Sequence, residues 1–160
     1  MSAFFQPPTS LLLTVPHVQQ QKAGECLAAC VAMVCAYWQV EVKYRDLLDV
    51  LEIEPDAGTP FSKIRYLSRL GLSVHHWRYG RMIELYRFLA EGWPCIVSVR
   101  TGELHYWQTD TFHTLTVVGM TETHILAHDS DLSYGPAKIP IGDFELAWLE
   151  MDEAFAVITA

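Results

Sequence analysis

The sequence is short of positive charge. Lys and Arg together number 11 against 19 Asp and Glu, a formal net charge of −8. The basic residues form no cluster, so binding to nucleic acid through phosphates is not expected. Long hydrophobic runs are missing too; none approaches the roughly 20 residues a spanning helix needs, and no membrane span is expected. The most apolar N-terminal stretch, Ser10 to Val15, is brief and has no basic residues ahead of it. It fails as a signal peptide, which makes the cytoplasm the expected compartment. Cysteines are few. Cys26, Cys30 and Cys35 share one apolar segment and Cys95 stands alone, which is not the spacing of a disulfide scaffold. Cys26 and Cys30 share a helix face, but a zinc site needs further ligands near them and none is local. Cys30, Cys35 and Cys95 read as small core residues. Repeats, low-complexity tracts and dividing linkers are absent, so residues 1–160 read as a single domain, with 1–14 as a lead-in. What is plentiful is apolar: 51% of residues are hydrophobic and 19% charged, a composition that folds.

The order of elements is legible from periodicity and punctuation. An apolar helix is expected from about Glu25 to Gln39 and an amphipathic one from Lys43 to Leu51. Thr59 is a good N-cap and Pro60 suits a first helical position, so a third helix should run to Leu70 and stop at Gly71. A strand follows over Leu72 to Tyr79, a helix over Arg81 to Glu91, and a strand over Cys95 to Val99. Thr101 to Thr111 is a polar and aromatic loop. Strands are expected over His113 to Gly119 and Thr123 to Asp129, with short elements over Lys138 to Ile141, Gly142 to Trp148 and Ala154 to Thr159. Helices first and an antiparallel sheet after is the α+β pattern.

The chemistry concentrates at Gln20 to Tyr37. A glutamine and a polar turn lead into Cys26, which opens the apolar helix. A helix N-terminus favours a thiolate over a thiol. Its free N–H groups, joined by a side-chain amide such as that of Gln20, can hold a developing oxyanion. The second half supplies a candidate base. If Met120 to Glu122 is a three-residue hairpin loop, His113 faces Asp129 directly, with Cβ atoms about 4.5–5.5 Å apart. An imidazole held by a carboxylate can then turn its other nitrogen to a thiol. A two-residue turn would instead put the two on opposite faces, and Asp131 would be the next carboxylate. Each residue alone has an ordinary reading: a structural histidine, an aspartate capping a turn, a cysteine filling a core. The combination points to nucleophilic catalysis. His105, in the loop before His113, is placed to touch substrate.

Residues across nearly the whole chain, about Val15 to Thr159, resemble the bacteriocin-processing, double-glycine leader peptidases, a compact branch of the papain-like cysteine peptidases. Gln20 stands six residues before Cys26, as in that family. Ala28-Ala29-Cys30-Val31-Ala32-Met33 through Tyr37-Trp38 matches its small-residue helix, and Gly92-Trp93-Pro94-Cys95-Ile96-Val97 its Gly-x-Pro strand. His113 begins a strand ending in Gly119, Asp129 ends the next, and Phe144 and Trp148 fit a late aromatic pair. The resemblance implies a papain-like α+β fold: N-terminal helices, with a buried central helix carrying the nucleophile, packed on a C-terminal antiparallel sheet. It implies a stand-alone cysteine peptidase acting on a peptide or protein substrate, with Cys26, His113 and Asp129 as the triad and Gln20 in the oxyanion hole. No metal or organic cofactor is implied. Leu27 and Ser130 depart from the family pattern, which has glycine after the cysteine and proline after the aspartate. Leu27, His105 and Trp107 are the candidate substrate contacts. Two alternatives remain open: another acyl transfer on the same triad, such as transglutamination or deamidation, or a papain-like module that binds peptides without cutting them.

Overall fold

The structure, a computed structural model, describes residues 5–159; residues 1–4 of the expected lead-in, and Ala160, lie outside the described residues. Helix α1 (Cys26–Tyr37) is small and apolar on every side, and nine of its twelve residues are buried. A helix with no polar face has to be central. Helix α2 (Tyr44–Val50) and a 3₁₀ helix over Phe61–Leu70 cover it through Leu47, Ile64 and Leu67. The expected cap at Thr59 is not made. The segment starts at Phe61 after Pro60, without a side-chain cap, and winds as 3₁₀ rather than α. It stops at Gly71, whose φ of 81° suits a residue without Cβ.

Among the described residues, seven strands form one antiparallel sheet: β1 (Leu11–Leu12), β2 (Ser73–Trp77), β3 (Cys95–Arg100), β4 (Phe112–Met120), β5 (His124–His128), β6 (Ala137–Pro140) and β7 (Phe155–Thr159). Their order is β2-β7-β3-β4-β5-β6, with β1 paired to the end of β4. Alternation along the central strands decides which helices lie where. Ile96, Ala156 and Ile158 join α1, α2 and the 3₁₀ helix in one core cluster. Val97, Val99, Phe155 and Val157 join α3 (Met82–Ala90) and α4 (Ile141–Leu149) in another, through Leu85, Leu89, Phe144 and Trp148. The fold is α+β, as expected, with a further helical layer on the far face of the sheet. No helix among the described residues is long and apolar enough to cross a membrane.

The β4–β5 hairpin differs from the expected register. Met120 pairs with Ile125 and Gly119 with Leu126, and the Thr121 N–H donates to the His124 carbonyl at 2.8 Å, so the turn is the tighter, two-residue form. That alone would put His113 and Asp129 on opposite faces. A β-bulge at Val118 undoes it: beyond the bulge Val117 pairs with Ala127 and Thr116 with His128. One extra residue restores the parity. Continued outward, this register sets Asp129 beside Leu115, so His113 and Asp129 are diagonal neighbours on one face rather than directly opposed. Diagonal neighbours remain within reach of long side chains.

Candidate active site

Cys26 opens α1, and its approach depends on Gly24. Gly24 has φ 88°, and a Cβ there would stand 2.3 Å from the Ala57 carbonyl oxygen. The first turn of α1 has neither a side-chain cap nor an acidic residue, which leaves its N–H groups and positive end to the cleft. Glu25 is buried instead against Tyr44, whose hydroxyl donates to Glu25 Oε1 at 3.0 Å.

His113 enters from β4, on which it pairs with Val99 of β3. Its Nε2 lies 2.7 Å from Asp129 Oδ1. The carboxylate has a full set of donors: the Asp131 N–H reaches Oδ1 at 2.9 Å, and the Tyr106 hydroxyl and Trp107 Nε1 each reach Oδ2 at 2.8 Å. Asp129 is wholly buried and His113 nearly so. The Trp107 ring lies against His113, centroids 4.8 Å apart. The loop that presents Tyr106 and Trp107 is tied at its base by an Arg100–Asp110 ion pair at 3.1 Å. Thr101 reinforces it, donating from Oγ1 to the Thr109 carbonyl at 2.6 Å.

These contacts set the protonation states. Burial pushes the Cys26 thiol up, but hydrogen bonding and charge from His113 outweigh it, and the net shift is downward from 9.0. Burial disfavours the His113 imidazolium, yet Asp129 and Cys26 together raise it from 6.5 to about 10. Burial also opposes the Asp129 carboxylate, and His113, Trp107 and the Asp131 N–H hold it below its ordinary range. The arrangement favours a thiolate–imidazolium pair, with Nε2 of His113 engaged by Asp129 and Nδ1 left for the sulfur. The other thiols go the opposite way: burial raises Cys30 and Cys95 far above 9.0 and Cys35 to about 11.

A cleft of about 440 Å³ lies over Cys26 and is lined by Gln20, Gly24, Gly58, Trp107, Phe112 and His113, among others. Gln20, Cys26, His113, Asp129 and Trp107 are therefore brought together. Two of the expected substrate contacts are not. Leu27 is fully buried in the core beside α2, because one step along a helix turns a side chain about 100° away from its neighbour. His105 is exposed, with its ring against Tyr106, and does not line the cleft. Trp107 does line it, but its indole N–H is spent on Asp129. Sequence reasoning missed Tyr106 as a partner of Asp129 and Ser130 as a partner of Gln20; the aromatic pair just ahead of His113 was the available signal for the first. No cluster of three or more metal-ligating side chains is present among the described residues.

The family model described as Peptidase C39 family matches residues 14–152. A C39-like protein from Bacillus anthracis superposes with a TM-score of 0.75 at 17% identity, covering 94% of this chain and 98% of that one. A double glycine motif protease from an AMS/PCAT transporter, solved in complex with the leader peptide, gives 0.68 at 23% identity, covering 96% and 97%. The peptidase domain of Streptococcus ComA, a bi-functional ABC transporter, gives 0.68 at 17% identity, covering 89% and 95%. No curated protein gives a significant match.

Proposed function

The chain belongs to the Peptidase C39 family and is a cysteine peptidase; we propose that it cuts peptide bonds, in substrates of the leader-peptide kind, through Cys26, His113 and Asp129 with Gln20 as oxyanion donor. The observation that carries the reading is the 2.7 Å His113–Asp129 contact on the imidazole that lowers the Cys26 thiol.

The Cys26 thiolate attacks the carbonyl carbon of the scissile bond. The oxygen takes the negative charge and is met by Gln20 Nε2 and the Cys26 backbone N–H. His113 gives its proton to the leaving amine as the C–N bond breaks. It then takes a proton from water, which attacks the thioester carbonyl; the C–S bond breaks, freeing the acid and restoring the Cys26 thiolate. Asp129 keeps the ring in one tautomer throughout. The leader-peptide assignment rests on likeness to the AMS/PCAT protease and its bound peptide. The retreat of Leu27 into the core removes one support of a purely peptide-binding role.

The test is mass spectrometry of products from a peptide library that includes double-glycine leaders, run with the wild-type protein and with Cys26→Ala. Cleavage by the wild type alone is expected. Equal cleavage by Cys26→Ala overturns the assignment. New amide crosslinks or deamidated glutamines in place of cut peptides would identify another acyl transfer.

A further inference from the structure

We infer that Ser130 is a positioning residue that fixes the Gln20 amide with its oxygen turned away from the oxyanion and its N–H presented to it. The inference rests on the oxyanion role proposed for Gln20. Ser130 is fully buried and follows Asp129 directly. It meets Gln20 twice. The Gln20 backbone N–H donates to the Ser130 carbonyl at 2.8 Å, and the Ser130 hydroxyl donates to Gln20 Oε1 at 2.7 Å.

The two ends of a glutamine amide have nearly the same shape and opposite chemistry. Presented the wrong way round, the amide would set a carbonyl oxygen against a developing oxyanion. Two contacts remove that freedom. Gln20 Nε2 lies 3.0 Å from the Lys22 carbonyl, which can only accept, so that end is the nitrogen. The other end receives the Ser130 proton. Nε2 carries two hydrogens and Lys22 takes one. The second has no partner among the described residues, and Gln20 lines the same cleft as Cys26. Preorganised donors are effective because they need no rearrangement as charge develops. The consecutive pair Asp129–Ser130 thus orients both the base and the oxyanion donor, although the donor is carried on a segment more than a hundred residues away in sequence.

Two reactions of Cys26 separate this role from a merely structural one. Acylation by p-nitrophenyl acetate passes through a tetrahedral oxyanion: the thiolate adds to the ester carbonyl, and p-nitrophenoxide leaves. Alkylation by iodoacetamide displaces iodide at a saturated carbon and makes no oxyanion. Gln20→Ala is expected to slow acylation about 10²-fold, and Ser130→Ala about five- to tenfold, the loss of one neutral hydrogen bond. Neither should alter alkylation, which also reports that the fold and the thiolate are intact. In the Gln20→Ala background, Ser130→Ala should add nothing. The inference is overturned if Ser130→Ala acylates at the wild-type rate, slows alkylation equally, or still slows acylation when Gln20 is gone. If Gln20→Ala acylates normally, the oxyanion role itself falls, and the role of Ser130 falls with it.

Discussion

Asp129 accepts from four donors with two oxygens, and this crowding determines what its replacement does. In Asp129→Asn the amide nitrogen would face either the Asp131 N–H and His113 or the Trp107 N–H and Tyr106 hydroxyl. In both orientations a donor meets a donor in a buried site. The variant should lose ~1–3 kcal/mol of stability, read from urea denaturation, and ~10²–10⁴-fold in turnover as the His113 tautomer is no longer held. Trp107→Phe keeps a ring against His113 and removes one donor to a charged acceptor. A loss of about 1.5–3 kcal/mol in the same denaturation assay is expected, without the tautomer defect. The lowered Cys26 thiol predicts selective chemistry as well. Iodoacetamide should label Cys26 below pH 9.0, where Cys30, Cys35 and Cys95 stay protonated; peptide mapping of the labelled protein checks this. Gln20, Cys26, His113 and Asp129 could be picked out in the sequence because each is a distinctive residue type at the edge of a periodic segment. Tyr106 and Ser130 could not, because their roles lie in contacts made across 23 and 110 residues of chain.

At the level of elements, the helices and strands were legible wherever a local pattern sufficed: the all-apolar α1, the amphipathic α2 and the stop at Gly71. What local pattern does not encode is a count of residues across a hairpin. The turn is one residue tighter than expected, and the bulge at Val118 compensates. Neither leaves a mark in composition, and the two deviations cancel for the face that matters. The start of α1 is similarly constrained by its surroundings. Gly24→Ala would put a side chain at φ 88° and a Cβ against the Ala57 carbonyl. A destabilisation of at least ~1–2 kcal/mol is expected, with slower Cys26 acylation because the turn that delivers the sulfur must shift. Denaturant midpoints and the p-nitrophenyl acetate burst measure the two effects.

Across the whole molecule, Cys26, the proposed nucleophile, belongs to the helical layer and His113, the proposed base, to the sheet, so the site reports on how these layers are docked. Its ionisation is linked to folding. His113 has a raised folded pKa, so its contribution is complete below about 6.5 and is lost as pH rises through about 10. Asp129 has a lowered one, so its contribution is complete above 3.8 and is lost as pH falls through its folded value. Cys26, lowered from 9.0, acts in the opposite sense to His113 and softens the alkaline flank. Urea midpoints should therefore hold level between about pH 4 and 6.5 and decline on both sides. His113→Gln should flatten both flanks; unchanged flanks in that variant would place the linkage elsewhere.

All four cysteines are free thiols; Cys30 and Cys95 are fully buried, Cys35 nearly so, and burial favours the protonated form of all three. Among the thiols, oxidants therefore meet one reactive group, Cys26. Its neighbour one turn along α1, Cys30, is fully buried and kept protonated by that burial, so a protective bridge to a sulfenic acid on Cys26 is not expected. Peroxide should silence the enzyme while leaving its melting curve nearly unmoved. Recovery would depend on an external reductant arriving before the sulfur climbs to its irreversible sulfinic state.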